Sequence, residues 1–166
     1  MAGIMENLVS ILTEQTARYE ELLGLSKEKR DVIIANDIEN LQKINHLENI
    51  LISQNQKLEK KRQAVVADMA IVLNEKEKNL TLPKLIELMH DQPNERTALE
   101  TARERIKTVM EELREMNHLN GQLIQNALEY VEFESNLLKS ATGQAPTYFP
   151  GTDNDYYEES QIDFKN

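Results

Sequence analysis

Apolar residues in the first part of the chain recur at helical spacing, through Leu8, Ile11, Leu12, Tyr19, Leu22, Leu23, Val32 and Ile33. Steps of three and four keep side chains on one face of a 3.6-residue turn, so the pattern predicts an amphipathic helix from Ile4 to about Ile34. Asn36-Asp37 then supplies two short polar side chains that compete for backbone hydrogen bonds, which predicts a break and an N-cap for the next helix. That second helix is predicted from Ile38 to Leu73. Its stripe runs through Leu41, Ile44, Glu48, Leu51, Asn55, Leu58, Arg62, Val65, Met69 and Val72, the heptad rhythm of long packed helices. One of the two seam positions is polar in three consecutive heptads, at Glu48, Asn55 and Arg62; this weakens the seam and offers a means of fixing register.

Residues 74–82 read as a connection, and LPKLIELMH as a short helix with Pro83 at a tolerated first-turn position and Pro93 as its stop. The longest helix is predicted from Asn94 to Ser140, with a stripe of Leu99, Ala102, Ile106, Val109, Leu113, Met116, Asn120, Leu123, Ala127, Tyr130 and Leu137. At the usual rise it extends on the order of 65 to 70 Å, too long to hide in a compact globule of this size. The fold class is therefore all-α: an elongated antiparallel bundle of three long helices plus a short connecting helix. Folding the connection back as a hairpin sets Glu48 opposite Asn120. After Ala141 the periodicity stops and Gly143, Pro146, Pro150 and Gly151 succeed one another, while five of the chain's eight rings fall in the last nineteen residues. The expected division is a helical bundle domain over 1–140 and a disordered, acidic, aromatic-containing tail over 141–166.

Charge and composition narrow the function. With 29 acidic against 19 basic residues, the net charge of −10 disfavours nucleic acid, which needs a clustered positive field to displace counterions. Lys57, Lys60, Lys61 and Arg62 form a basic cluster, but Glu59 interrupts it and no aromatic ring adjoins it for base stacking. Cysteine is absent, which excludes disulfides and thiolate metal sites. The start MAGIMENLVS lacks the basic region and long apolar run of a secretory signal, and no window is long and apolar enough for a membrane span. Asn79-Leu80-Thr81 matches a glycosylation sequon, read as chance without a secretion signal.

Two Glu-x-x-His pairs, Glu87 with His90 and Glu115 with His118, have the spacing of carboxylate-bridged di-metal bundles. With Leu113 and Met116 facing the core, Glu115 and His118 fall on the far side of their helix; Glu87 and His90 likewise lie opposite Leu85, Leu88 and Met89. None of the three histidines, His46 included, adjoins a serine in a strand-turn context. Asp153-x-Asp155 begins like a calcium loop, but Tyr157 takes the next ligand position and the glycine is missing. No enzyme activity, cofactor or metal is expected.

What remains is surface for protein partners. In NGQLIQNALEYVEFESNLLKS, the residues Leu123, Ile124, Leu128, Val131, Phe133, Leu137 and Leu138 cover more of the helix circumference than one narrow seam requires. Such an arc either packs within the chain or on a second copy, or captures an amphipathic helix from another protein.

The run Leu113-x-x-x-Asn117-x-x-Asn120-Gly121-x-Leu123-Ile124, with Pro146-Thr147-Tyr148 and Gly151 beyond the helix, resembles the FlgN family of flagellar type III export chaperones. Leu58-Glu59 and then Arg62, late in a long second helix, also fits that pattern. The sharp motif is confined to residues 113–151, while the helix layout is similar over most of the chain. The resemblance implies a cytoplasmic, non-enzymatic chaperone that binds the hook-filament junction proteins FlgK and FlgL before export, with export-apparatus components as further partners. It places substrate contact on Leu123, Ile124, Leu128, Val131 and Leu138 of the helix and Tyr148 beyond it, with Asn117, Asn120 and Gly121 as motif residues. The acidic run Asp153 to Glu159, with Tyr156-Tyr157, lies outside the motif. The competing reading is a structural helical scaffold or homo-oligomeric coiled-coil protein, which requires Ile124, Leu128 and Val131 to be buried within one chain or a symmetric dimer.

Overall fold

The computed structural model describes residues 2–143, and within them the secondary structure is helical: α1 (Ala2–Ile34), α2 (Ile38–Val72), α3 (Leu82–Leu88) and α4 (Pro93–Ala141). The expected tail beyond residue 143 lies outside the described residues.

Each helix boundary has a local cause. α1 ends where Asn36 takes a positive φ of 55°, a conformation asparagine tolerates because its short side chain can bond locally. Asp37 then caps α2, its carboxylate accepting from the Asn40 N–H. α2 ends at Val72 and Asn74 repeats the device at φ 57°. Thr81 caps α3 by accepting from the Lys84 N–H. Pro93, expected to stop the short helix, instead opens α4: α3 is already over at Leu88, and a proline in the first turn sacrifices no intrahelical hydrogen bond.

α1 packs on both α2 and α4, and α3 packs on α4. Gln15 bonds Glu59 while Lys29 bonds Glu48, so rising numbers in α1 meet falling numbers in α2 and the two helices run in opposite directions. Leu12 shares a cleft with Ile106, and Ser26 bonds Asn117, so α4 runs alongside α1 in the same sense. The main apolar cluster extends from Met5 to Leu23 on α1, from Leu51 to Ala70 on α2 and from Leu99 to Leu113 on α4. Leu80, Leu82, Leu85 and Met89 join it, so the segment read as a connection contributes core side chains.

Polar groups interrupt this core at heptad positions. On α1 the seam is Met5, Leu8, Leu12, Gln15, Tyr19, Leu22, Ser26 and Lys29, and Gln15 and Ser26 are fully buried. Gln15 donates to Glu59, which in turn takes two hydrogen bonds from Arg62. Burial pushes the Glu59 carboxyl up, but the bonds and charge of Arg62, aided by Gln15 and Gln63, outweigh that and hold it below its ordinary value. Tyr19 is driven upward by burial first and by the Glu59 charge second. The three polar seam positions of α2 thus have different outcomes. Glu48 pairs with Lys29 at 3.0 Å, Arg62 pairs with Glu59, and Asn55 is buried with both amide atoms unpartnered among the described residues.

Candidate partner-binding face on the last third of α4

Burial along α4 follows the expected stripe through Leu99, Ala102, Ile106 and Leu113 as far as Asn120, and then stops. At that point α4 is tied to α1: Asn120 Nδ2 donates to the Ser26 backbone carbonyl at 2.8 Å and to Ser26 Oγ at 3.1 Å, while Ser26 Oγ donates to Asn117 Oδ1 at 3.0 Å. Lys29, one turn further along α1, holds Glu48 of α2. The expected juxtaposition of Glu48 and Asn120 therefore takes an indirect form, in which both residues bond α1 within the same turn.

No residue of α4 beyond Asn120 is buried. From Ser26, α1 has eight residues left before Ile34, so by matched rise the α1–α2 hairpin turns near the level of residue 128 of α4. The last thirteen residues of α4 continue past it for about 20 Å. The stripe extended through Tyr130 and Leu137 in expectation of a packed seam is exposed for this reason: the periodicity persists where the covering helices have ended.

At 100° per residue, Ile124, Leu128, Val131 and Leu138 fall within one narrow stripe, and Leu123, Tyr130 and Leu137 within an adjoining one. Together they cover about half the circumference, centred on the direction that Leu113 and Asn120 point into the core. Leu128 is 49 % exposed, Val131 59 % and Leu138 69 %, whereas Leu123 and Ile124 are half-buried. Ile34 and Ile38, at the α1–α2 hairpin turn, are also open to solvent. Asn117 is exposed apart from its Ser26 bond, and Gly121 lies half-buried in mid-helix, where glycine costs about 1 kcal/mol relative to alanine. Tyr148 lies outside the described residues. Glu132 borders the face and Glu134 lies within it, between the two stripes; the Tyr130 hydroxyl is shifted upward by its hydrogen bond to Glu134 and by that carboxylate's charge.

Sequence reasoning missed Ser26, the residue that anchors this junction. Its signal was position: it sits seven residues after Tyr19 and fourteen after Leu12, in the α1 seam. The two Glu-x-x-His pairs remain apart from the site. Glu87, His90, Glu115 and His118 are all exposed; His90 meets Asp91, and His118 meets Gln122. Among the described residues no group of three or more His, Asp or Glu side chains is arranged to hold a metal. No helix among them is long and apolar enough to cross a membrane.

A helical protein of this kind, with a long helix that outruns its neighbours and exposes a broad apolar arc, presents a surface suited to a protein partner. The family model for FlgN protein matches residues 1–152, and the chain belongs to the FlgN family of flagellar export chaperones. No curated protein and no solved structure matched the chain.

Proposed function

We propose that the chain is a cytoplasmic, non-enzymatic chaperone that holds the hook-filament junction proteins FlgK and FlgL, prevents their premature association and assists their type III export. The observation that carries this reading is the exposed apolar face of α4 after Asn120, at Leu128, Val131 and Leu138. A secretion substrate awaiting export carries amphipathic segments that self-associate when free, and an apolar helix face of this width can cover such a segment reversibly. Leu123 and Ile124 lie at the root of the face, and Tyr148 extends the contact beyond the helix. We read the three long helices as an elongated bundle domain to residue 140, with the remaining segment as a separate binding element. Export-apparatus components are further partners in this reading.

The homo-oligomeric scaffold alternative covers the same face with a second copy. Purification of the full chain from flagellated cells discriminates the two. Recovery of FlgK or FlgL at one defined ratio supports the chaperone reading, whereas a homo-oligomer with neither junction protein supports the scaffold.

A further inference from the structure

A second feature lies at the opposite end of α4 from that face. Between α2 and α4, with Leu12 of α1 at its floor, is a cleft of about 150 Å³ whose rim carries Arg62, Arg103, Lys107 and Arg114. Among the described residues, Glu111 is the one acidic residue that lines it. In a chain of net charge −10 this concentration of cations is a local reversal of sign.

The cations are incompletely neutralised. Arg62 is committed to Glu59, and Arg103 meets Glu104, itself largely exposed, at 3.3 Å. The Arg103 Nε is buried without a hydrogen-bond partner, a donor left for something to satisfy. Lys107 and Arg114 have no ion-pair partner among the described residues, while Ile106 and Leu82 make the cleft wall apolar. A ligand that fits carries acidic groups next to a flat apolar ring: carboxylates for the rim, a ring for the wall.

The chain contains such a segment. Asp153-Asn-Asp-Tyr-Tyr-Glu-Glu159 brings four carboxylates and two tyrosines into seven residues. Along α4, Arg114 and Lys107 lie 27 and 34 residues before Ala141, or about 40 and 51 Å. Tyr156 and Tyr157 are 13 and 14 positions past Gly143, so a nearly fully extended chain, about 43 to 50 Å, brings them to the level of the cleft between Arg114 and Lys107. The nearer apolar face after Asn120 is a poorer host, because Glu132 at its edge and Glu134 within it repel the same carboxylates.

We propose that the cleft of Arg62, Arg103, Lys107 and Arg114 is a docking site for the chain's own segment 153–159, with Tyr156 or Tyr157 against the apolar wall. The tether is nearly fully extended in this arrangement, so the ionic contacts at the rim and the ring contact at the wall carry the docking. Docking folds the acidic segment back along α4 and leaves the distal apolar face free of it. The site is independent of the chaperone reading and stands or falls without any export substrate.

Tryptophan is absent from the sequence, so Tyr156→Trp in the full chain gives a unique fluorophore. A docked ring is expected to show an acrylamide quenching constant reduced about twofold or more, independent of protein concentration and restored to that of free tryptophan by molar salt. Adding Arg103→Glu with Lys107→Glu should restore full quenching. Because the Arg103 stem packs in the cleft, Asp153→Lys with Asp155→Lys and Glu158→Lys provides a second disruption that leaves the helices untouched. Full quenching in the single variant, insensitive to salt and to both sets of reversals, overturns the proposal. Protection that grows with protein concentration overturns it too, by assigning the cleft to a second copy.

Discussion

Asn120 of α4 donates its side-chain amide to the backbone carbonyl of Ser26 on α1, and this bond marks the last buried position of the longest helix. On one side of it α4 contributes core; on the other it offers an apolar surface to solvent. A single buried polar contact thus separates the part of the helix that folds the protein from the part available to bind.

The bond has a measurable worth. Asn120→Ala removes both donations to Ser26 and leaves its buried hydroxyl with one partner fewer, so urea unfolding should show a loss of about 1–3 kcal/mol. Asn120→Leu should cost less, because it removes the same unpartnered buried Oδ1 while filling the volume that alanine leaves as a cavity.

Asn55 tests the opposite sign. Both its amide atoms are buried without partners, at 3 % residue exposure. Asn55→Leu should raise stability by about 1 kcal/mol or more, measured as an increased denaturation midpoint. If the amide is retained for alignment of α1 and α2, the stabilised variant should also show heterogeneous helix register by cross-linking of engineered cysteine pairs.

The two halves of α4 should respond differently to the same kind of substitution. Leu99→Ala, in the core, should cost about 2–5 kcal/mol. Leu128→Ser, Val131→Ser and Leu138→Ser should each change stability by about 0.5 kcal/mol or less, since these side chains are already in water. Thermal unfolding monitored by circular dichroism separates the two classes.

Glu59 links stability to pH. Its folded-state pKa is lowered, so its contribution is fully present above the ordinary carboxylate range and is lost as pH falls through the folded value. Glu59→Gln should therefore cost about 1 kcal/mol near neutral pH, with the difference from the parent closing on acidification. A difference that widened towards low pH would contradict the assigned direction.

Much of the helical layout was legible because spacing survives wherever a face is buried. Asp37 announced its cap, and the stripes of α2 and α4 named the seam residues as far as Met69 and Asn120, beyond which Val72, Tyr130 and Leu137 are exposed. The fate of the polar seam residues was less legible: Glu48, Asn55 and Arg62 have the same heptad logic, yet only the structure distinguishes two paired charges from an unpartnered amide. Leu80 escaped notice because core membership outside a helix leaves no periodic mark. Ser26 escaped because a small polar residue at a seam position carries no hydrophobic signal. The extent of the exposed face was ambiguous for a related reason, since a periodic stripe reports which way side chains point and not whether a neighbour is there to meet them. Tyr130 and Leu137 continue the core stripe in a stretch that α1 and α2 do not reach.

Calorimetric titration of the full chain with purified FlgK and FlgL tests the central claim most directly, comparing the parent with the triple variant Leu128→Ser, Val131→Ser and Leu138→Ser. Loss of three apolar anchors should weaken junction-protein binding by about two orders of magnitude or abolish it, with the helical circular dichroism unchanged. Unchanged affinity in the triple variant, or no binding of either protein by the parent, would contradict the assignment of this face as the substrate site.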